Sequence, residues 1–187
     1  MQWRNTVQRE NSSKPKGFSP QTLQAQVGDA TFWFNEDKTT NHQPYPTKAP
    51  GKPGDWGPPI GGQNSSEQLN LDQAGTYDYK CALHGDEVGH ISVANAVVIG
   101  PSGTGEATVA PKDLSIVAGQ CVSWSNSDAN AHLPTPNQGN KWFAKPVLSG
   151  DISAQITFAT VGTVNYHCAL HPNATAEQGT ITIKATA

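Results

Sequence analysis

Apolar and polar residues alternate along this chain in short runs separated by Gly, Pro, Asn and Asp, a pattern that fits half-buried β-strands. In the first half the runs fall at residues 23–27, 31–34, 67–71, 76–81 and 90–93. In the second half they fall at 114–117, 121–124, 154–158, 163–168 and 179–183. Gly-Asp, Gly-Gln and Ala-Gly pairs between them supply turn chemistry, and short strands at such spacing predict a β-sandwich with Greek-key connections in each half. The expected fold class is therefore all-β, as two tandem sandwiches.

The two sets of strands are copies. Val27-Gly28 recurs as Ala118-Gly119 and Trp33 as Trp124, an offset of about ninety residues that is long enough for a domain rather than a solenoid unit. We expect one domain over residues 1–100 and a second over 101–187, joined by the Gly- and Pro-rich stretch Gly100-Pro101-Ser102-Gly103-Thr104-Gly105. The halves differ most at residues 47–66 and 137–150, which read as irregular surface loops. Trp56 in one and Trp142 with Phe143 in the other could shape a partner surface or fold each loop onto its own sandwich.

Composition narrows the class of partner. A formal net charge of −3 with 14% charged residues, and no basic stripe, lacks the electrostatic footprint of a nucleic-acid binder. No run approaches the roughly twenty apolar residues of a membrane-spanning helix. The start, Met1-Gln2-Trp3-Arg4-Asn5, has no apolar signal core, which fits a cytosolic chain or a mature form without its export peptide. The second option matches the chemistry below and points to a periplasmic or extracellular protein.

That chemistry lies in a repeated tetrapeptide. Cys-Ala-Leu-His occurs at Cys81 to His84 and again at Cys168 to His171, each time behind a Gly-Thr-x-x-Tyr approach. Upstream, His42 follows Trp33, Asn35 and Asp37, and His132 follows Trp124, Asn126 and Asp128. Each half thus offers a His, a Cys and a second His, the ligand set of a trigonal His2Cys copper site. Of the three cysteines, Cys121 alone lacks metal-ligand context. It stands where the first repeat has Ala30, in an alternating strand, and reads as a small core residue, with an exposed reactive thiol as the lesser alternative.

The pattern Trp-x-Asn-x-Asp, then His, then a strand ending in Tyr-x-Cys-x-x-His and a closing Gly, resembles the cupredoxins, the plastocyanin and azurin superfamily. The resemblance covers most of both halves. It implies sandwiches that hold His42, Cys81 and His84 in one half, and His132, Cys168 and His171 in the other, around two type 1-like coppers per chain. It also implies outer-sphere electron transfer with redox partner proteins, through the edges of His84 and His171.

One departure from that family concerns the axial position. Most cupredoxins place Met about five residues after the second His, whereas the only Met of this chain is Met1. The usual position holds Gly89 or Ala176, followed by His90 in one half and by Glu177 and Gln178 in the other. His90, Glu177 and Gln178 are therefore the axial candidates; the competing reading makes His90 and Glu177 strand-edge residues that point to solvent and leaves the carbonyls of Asn41 and Ala131. Glu87, three residues after His84, reads as too close to fold back. Unlike axial residues predict unlike potentials, and a His3Cys first site could hold zinc as a structural cage.

His167 directly precedes Cys168, where multicopper enzymes resembling nitrite reductase carry a ligand to a catalytic type 2 copper. Lys80 occupies that position in the first repeat, and strand alternation turns His167 away from Cys168. The leading expectation is an electron carrier rather than an enzyme. The alternatives are a small reductase or oxidase with a type 2 copper at an oligomer interface, and a copper storage or delivery protein.

Overall fold

The computed structural model describes residues 2–8, 16–52, 54–102 and 107–186, with the side chains of 2–8 excepted. The chain divides into two compact units, Met1–Ala94 and Asn95–Ala187. This junction falls before the boundary expected between residues 100 and 101. Gly100 and Pro101 do not act as linker, because both lie in a strand and pair with Thr108 and Ala107. Residues 103–105 of the expected linker lie outside the described residues.

The first unit contains strands β1 (Gln2–Gln8), β2 (Gly17–Ser19), β3 (Thr22–Gln26), β4 (Ala30–Asn35), β5 (Pro44–Lys48), β6 (Leu69–Asn70) and β7 (Gly75–Cys81), and the first part of β8 (Val88–Pro101). One of its sheets runs β2-β1-β4-β6, with β1 and β4 parallel. In the other, residues 88–94 of β8 lie between β3, in parallel, and β7, antiparallel, with β5 on the far edge of β7.

The second unit repeats this order. Residues 95–101 of β8 run parallel to β11 (Cys121–Asn126) and antiparallel to β9 (Ala107–Ala110), and β13 (Ile156–Thr157) pairs on the other side of β11. The second sheet runs β10 (Asp113–Val117), β15 (Gly179–Lys184), β14 (Gly162–Cys168) and β12 (Pro134–Pro136). Residues 88–94 thus take in the first unit the place that β15 takes in the second, and residues 95–101 take the place of β1. The expected all-β class holds: the helical content of the described residues is one 3-10 turn, Thr175–Glu177.

Alternation does the packing. Along β7, Tyr77, Tyr79 and Cys81 are buried while Thr76 and Lys80 are exposed; along β15, Gly179, Ile181 and Ile183 are buried. Side chains two apart share one face, so each strand gives one face to the core, and both sheets of a unit contribute to it. The first core gathers Phe18, Leu23, Trp33, Tyr77, Ile91 and Val93 with their neighbours. The second gathers Val97, Ile116, Val122, Trp124, Tyr166 and Ile181 with theirs.

Each long loop folds onto its own core. Trp56 stacks on Trp33 with ring centroids 5.5 Å apart, and Trp142 stacks on Trp124 at 5.0 Å. The turns before β4 and β11 also match: Gly28 and Gly119 have φ of +93° and +92°, a conformation that glycine adopts without steric cost.

Candidate metal centres

The first histidine of each site is fixed by the loop that follows it. His42 and Ile60 exchange backbone hydrogen bonds of 3.1 and 2.7 Å, and His132 and Val147 exchange bonds of 3.1 and 2.8 Å. A conserved geometry in the two units holds these bridges. The Asn35 amide donates to the carbonyls of Thr40 (2.8 Å) and Ile60 (2.9 Å) and its Oδ1 accepts from the Asp37 amide (3.0 Å). Asn126 does the same for Asn130 (2.7 Å), Val147 (3.0 Å) and Asp128 (2.9 Å). The loops thus pin the histidines, a role that their irregular sequence does not announce.

The cysteines come from the buried ends of β7 and β14, and the second histidines from the turns beyond. Cys81 Sγ lies 3.8 Å from His42 Nδ1 and 3.5 Å from His84 Nδ1. Cys168 Sγ lies 3.8 Å from His132 Nδ1 and 3.5 Å from His171 Nδ1. Each sulfur also accepts a backbone N–H, from Gln43 at 3.4 Å and from Leu133 at 3.3 Å. The structure therefore brings together all six residues of the two expected triples.

A fourth residue joins each set. Glu87 Oε2 lies 2.8 Å from His42 Nδ1 and 3.6 Å from His84 Nδ1. Glu177 Oε2 lies 3.0 Å from both His132 Nδ1 and His171 Nδ1. The two groups, His42-Cys81-His84-Glu87 and His132-Cys168-His171-Glu177, each keep their donor atoms within 4.8 Å of one another.

Glu87, which its short spacing from His84 argued against, does fold back. The turn it occupies closes with its amide on the His84 carbonyl at 3.0 Å, which swings the side chain inward. His90 is not in the group. It lies on β8 with Nδ1 2.7 Å from Asp78 Oδ1 and its side chain 43% exposed. Gln178 caps the 3-10 turn through its backbone and lies exposed beside the group rather than in it.

The sequence signal for Glu87 was the closing strand, not the second histidine. Tyr79 pairs with Gly89 and Tyr166 with Gly179, so Glu-x-Gly stands in the same register in both units. Each Glu is also 45 residues after its first His. The second unit simply has a longer turn between His and Glu, six residues against three. His167 pairs with Asn137 Oδ1 at 2.7 Å, on the strand face opposite Cys168.

Outer carboxylates orient the first imidazoles. His42 Nε2 lies 2.8 Å from Asp37 Oδ2, and His132 Nε2 lies 3.1 Å from Asp128 Oδ2. With Nε2–H donated outward, Nδ1 keeps its lone pair for the interior, the arrangement of a carboxylate–histidine–metal triad.

Charge follows the same geometry. Burial works against a proton on His42, but the Cys81 thiol, Asp37 and Glu87 outweigh it and raise its pKa to about 9. For Glu177, burial is outweighed by hydrogen bonds from His171, Cys168 and His132, which hold its carboxyl below the usual range. Burial pushes the Cys168 thiol up. In the metal-free protein His42 thus holds a proton and Cys168 stays a thiol, so metal binding at either site would release protons.

The donor spacing fits a small first-row metal ion. Bonds of about 2.3 Å to sulfur and about 2.0 Å to nitrogen at trigonal angles place S and N about 3.7 Å apart, close to the 3.5 and 3.8 Å observed. An oxygen bound perpendicular to that plane at about 2.1 Å would lie about 2.9 Å from nitrogen, as three of the four Glu-to-His distances do. The second histidines reach solvent: the His84 and His171 side chains are 22% and 37% exposed. In the second unit an open cavity of about 290 Å³ meets His132, His171 and Glu177.

No protein-family model and no curated protein matches the chain. Solved structures do match. A purple cupredoxin from Nitrosopumilus maritimus aligns at 24% identity over 48% of this chain and 98% of that one, with a TM-score of 0.42. A reduced amicyanin mutant aligns at 26% identity over 47% and 79%, with a TM-score of 0.38. A mutant plastocyanin of fern aligns at 18% identity over 48% and 99%, with a TM-score of 0.42. The chain is thus similar to cupredoxins, each match spanning about half of its length.

Proposed function

We propose that this protein binds two copper ions and carries single electrons between redox partner proteins. The observation that carries the reading is the twofold convergence of one thiolate and two imidazole Nδ1 atoms at the spacing a trigonal metal plane requires. Bound copper would supply the one-electron redox change. His42, Cys81 and His84 would hold one ion, and His132, Cys168 and His171 the other.

What the chain adds is rigidity and an exit. Cys81 and Cys168 sit on strands inside the cores, and backbone bridges fix His42 and His132, so the donors need not move when the charge of the metal changes. His84 and His171 carry the same cage towards solvent, beside the exposed side chains of Leu83 and Leu170. Thiolate copper chemistry suits an oxidising compartment, periplasmic or extracellular. No helix of the described residues is long and apolar enough to cross a membrane.

Absorption and electron paramagnetic resonance of the copper-loaded protein test the reading. An intense visible thiolate-to-copper band is expected, weakened in Cys81→Ser, weakened in Cys168→Ser and lost when both are changed. A copper-loaded protein without that band would refute the assignment. A third copper per chain in the parent, with a type 2 signal beside the thiolate centres, would favour the enzyme alternative.

A further inference from the structure

We infer that Glu87 and Glu177 are themselves metal ligands, each giving carboxylate Oε2 as the axial fourth donor in its site, so that both sites are His2CysGlu. This rests on the copper reading above and specifies the ligand that replaces the absent Met. The inference starts from lone pairs. His42 and His132 turn Nε2 to Asp37 and Asp128, and a neutral imidazole has only one N–H to give. With that proton on Nε2, Nδ1 is an acceptor, and it faces the acceptor Oε2 of Glu87 or Glu177 at 2.8 or 3.0 Å.

Two acceptors at that distance repel unless a cation lies between them. In the metal-free chain a proton can fill the gap. In the loaded chain the metal displaces it and meets Nδ1 and Oε2 together, since both converge on the thiolate as well.

Burial strengthens the argument. The Glu87 and Glu177 side chains are 2% and 4% exposed, and an ionised carboxylate is retained in such a place only when a cation or strong donors satisfy it. Here the partners of both carboxylates include the inward-facing Nδ1 atoms of the two histidines. Moreover, two turns of unequal length deliver the same atom to the same place. A Glu that merely decorated the turn would have no reason to reach the same point in both.

The test isolates one site at a time. In a Cys81→Ser chain loaded with Cu(II), so that the thiolate site is in the second unit, Glu177→Met and Glu177→Gln are compared with the parent by absorption, paramagnetic resonance and potentiometry. Cys168→Ser with the same changes at Glu87 reports on the first unit. Replacing a hard axial oxygen with thioether should move the thiolate band pattern towards that of a blue site. It should also favour Cu(I) over Cu(II) at least tenfold, which is about 59 mV for one electron.

Glu177→Gln keeps the shape and a weaker oxygen donor, and should fall between. Co(II) loading gives an independent readout, with ligand-field bands that shift in the same variants. If the parent shows its thiolate band and both variants leave band, hyperfine coupling and potential unchanged, the carboxylate is not a ligand. A parent without a thiolate band would instead overturn the copper reading on which the inference stands.

Discussion

At the scale of single residues, each imidazole is set by what holds its far nitrogen. Asp37 and Asp128 are buried, and each accepts from the Nε2 of the first histidine in its site. For Asp128 the Asn130 backbone amide, and then His132, hold the carboxyl below its usual range, so it is the ionised form that receives the imidazole N–H. Changing it to Asn keeps the size but removes the charge and frees the ring to adopt the other tautomer. Asp128→Asn is therefore expected to weaken metal binding at the second site by about 10- to 100-fold. Competition with a chelator in the Cys81→Ser background measures it; an unchanged affinity would show that Asp128 leaves the ring alone. The Trp-x-Asn-x-Asp spacing was legible in the sequence, but its two roles were not. Asn35 and Asn126 brace the loop and Asp37 and Asp128 orient the ring, a division that depends on where Ile60 and Val147 come to lie.

At the scale of elements, the closing strand decides where the axial residue stands. Gly89 and Gly179 lie so close to the phenols of Tyr79 and Tyr166 that an added Cβ would fall 2.4 Å from the ring or its oxygen. Glycine is needed there for space, since neither residue has a positive φ. Gly179→Ala should cost about 1–3 kcal/mol by overpacking, read as a lower urea midpoint of the metal-free protein. It should also weaken metal binding, because Glu177 is two residues away on the displaced backbone. A midpoint equal to that of the parent would mean that Tyr166 gives way without cost.

The interior strands were legible from alternation because both cores use one face of each strand. The edges β5 and β12 were not: they begin at Pro44 and Pro134, and proline argues against a strand unless it lies at an edge. Their pairing to β7 and β14 is a tertiary fact. Glu87 was missed for a related reason. Counting forward from His84 runs through a turn whose length differs between the units, whereas counting back from Gly89 along a paired strand keeps register.

At the scale of the whole chain, the tandem sequence becomes two sites with the same donors in two separate units. Reading forward from Cys-Ala-Leu-His predicted unlike axial residues and hence unlike potentials. The structure replaces His90 with Glu87 in the first set, which removes the largest expected difference. The sites share no residue, so their contributions should add within a small error. The parent is expected to hold two thiolate-bound copper ions, and Cys81→Ser and Cys168→Ser one each, with the thiolate bands of the two variants summing to that of the parent. Their potentials should lie near one another, since first donors, axial oxygen and outer aspartate agree. What still separates them is solvent: His171 is more exposed than His84, and Glu177 meets an open cavity. With one thiolate and one carboxylate among its donors, a site would be neutral with Cu(II) and carry one negative charge with Cu(I), and nearby water stabilises the charged, cuprous form. The second site, measured in Cys81→Ser, should therefore have the higher potential of the pair; a lower one would show that the backbone N–H bonds to sulfur, rather than solvent, set the order.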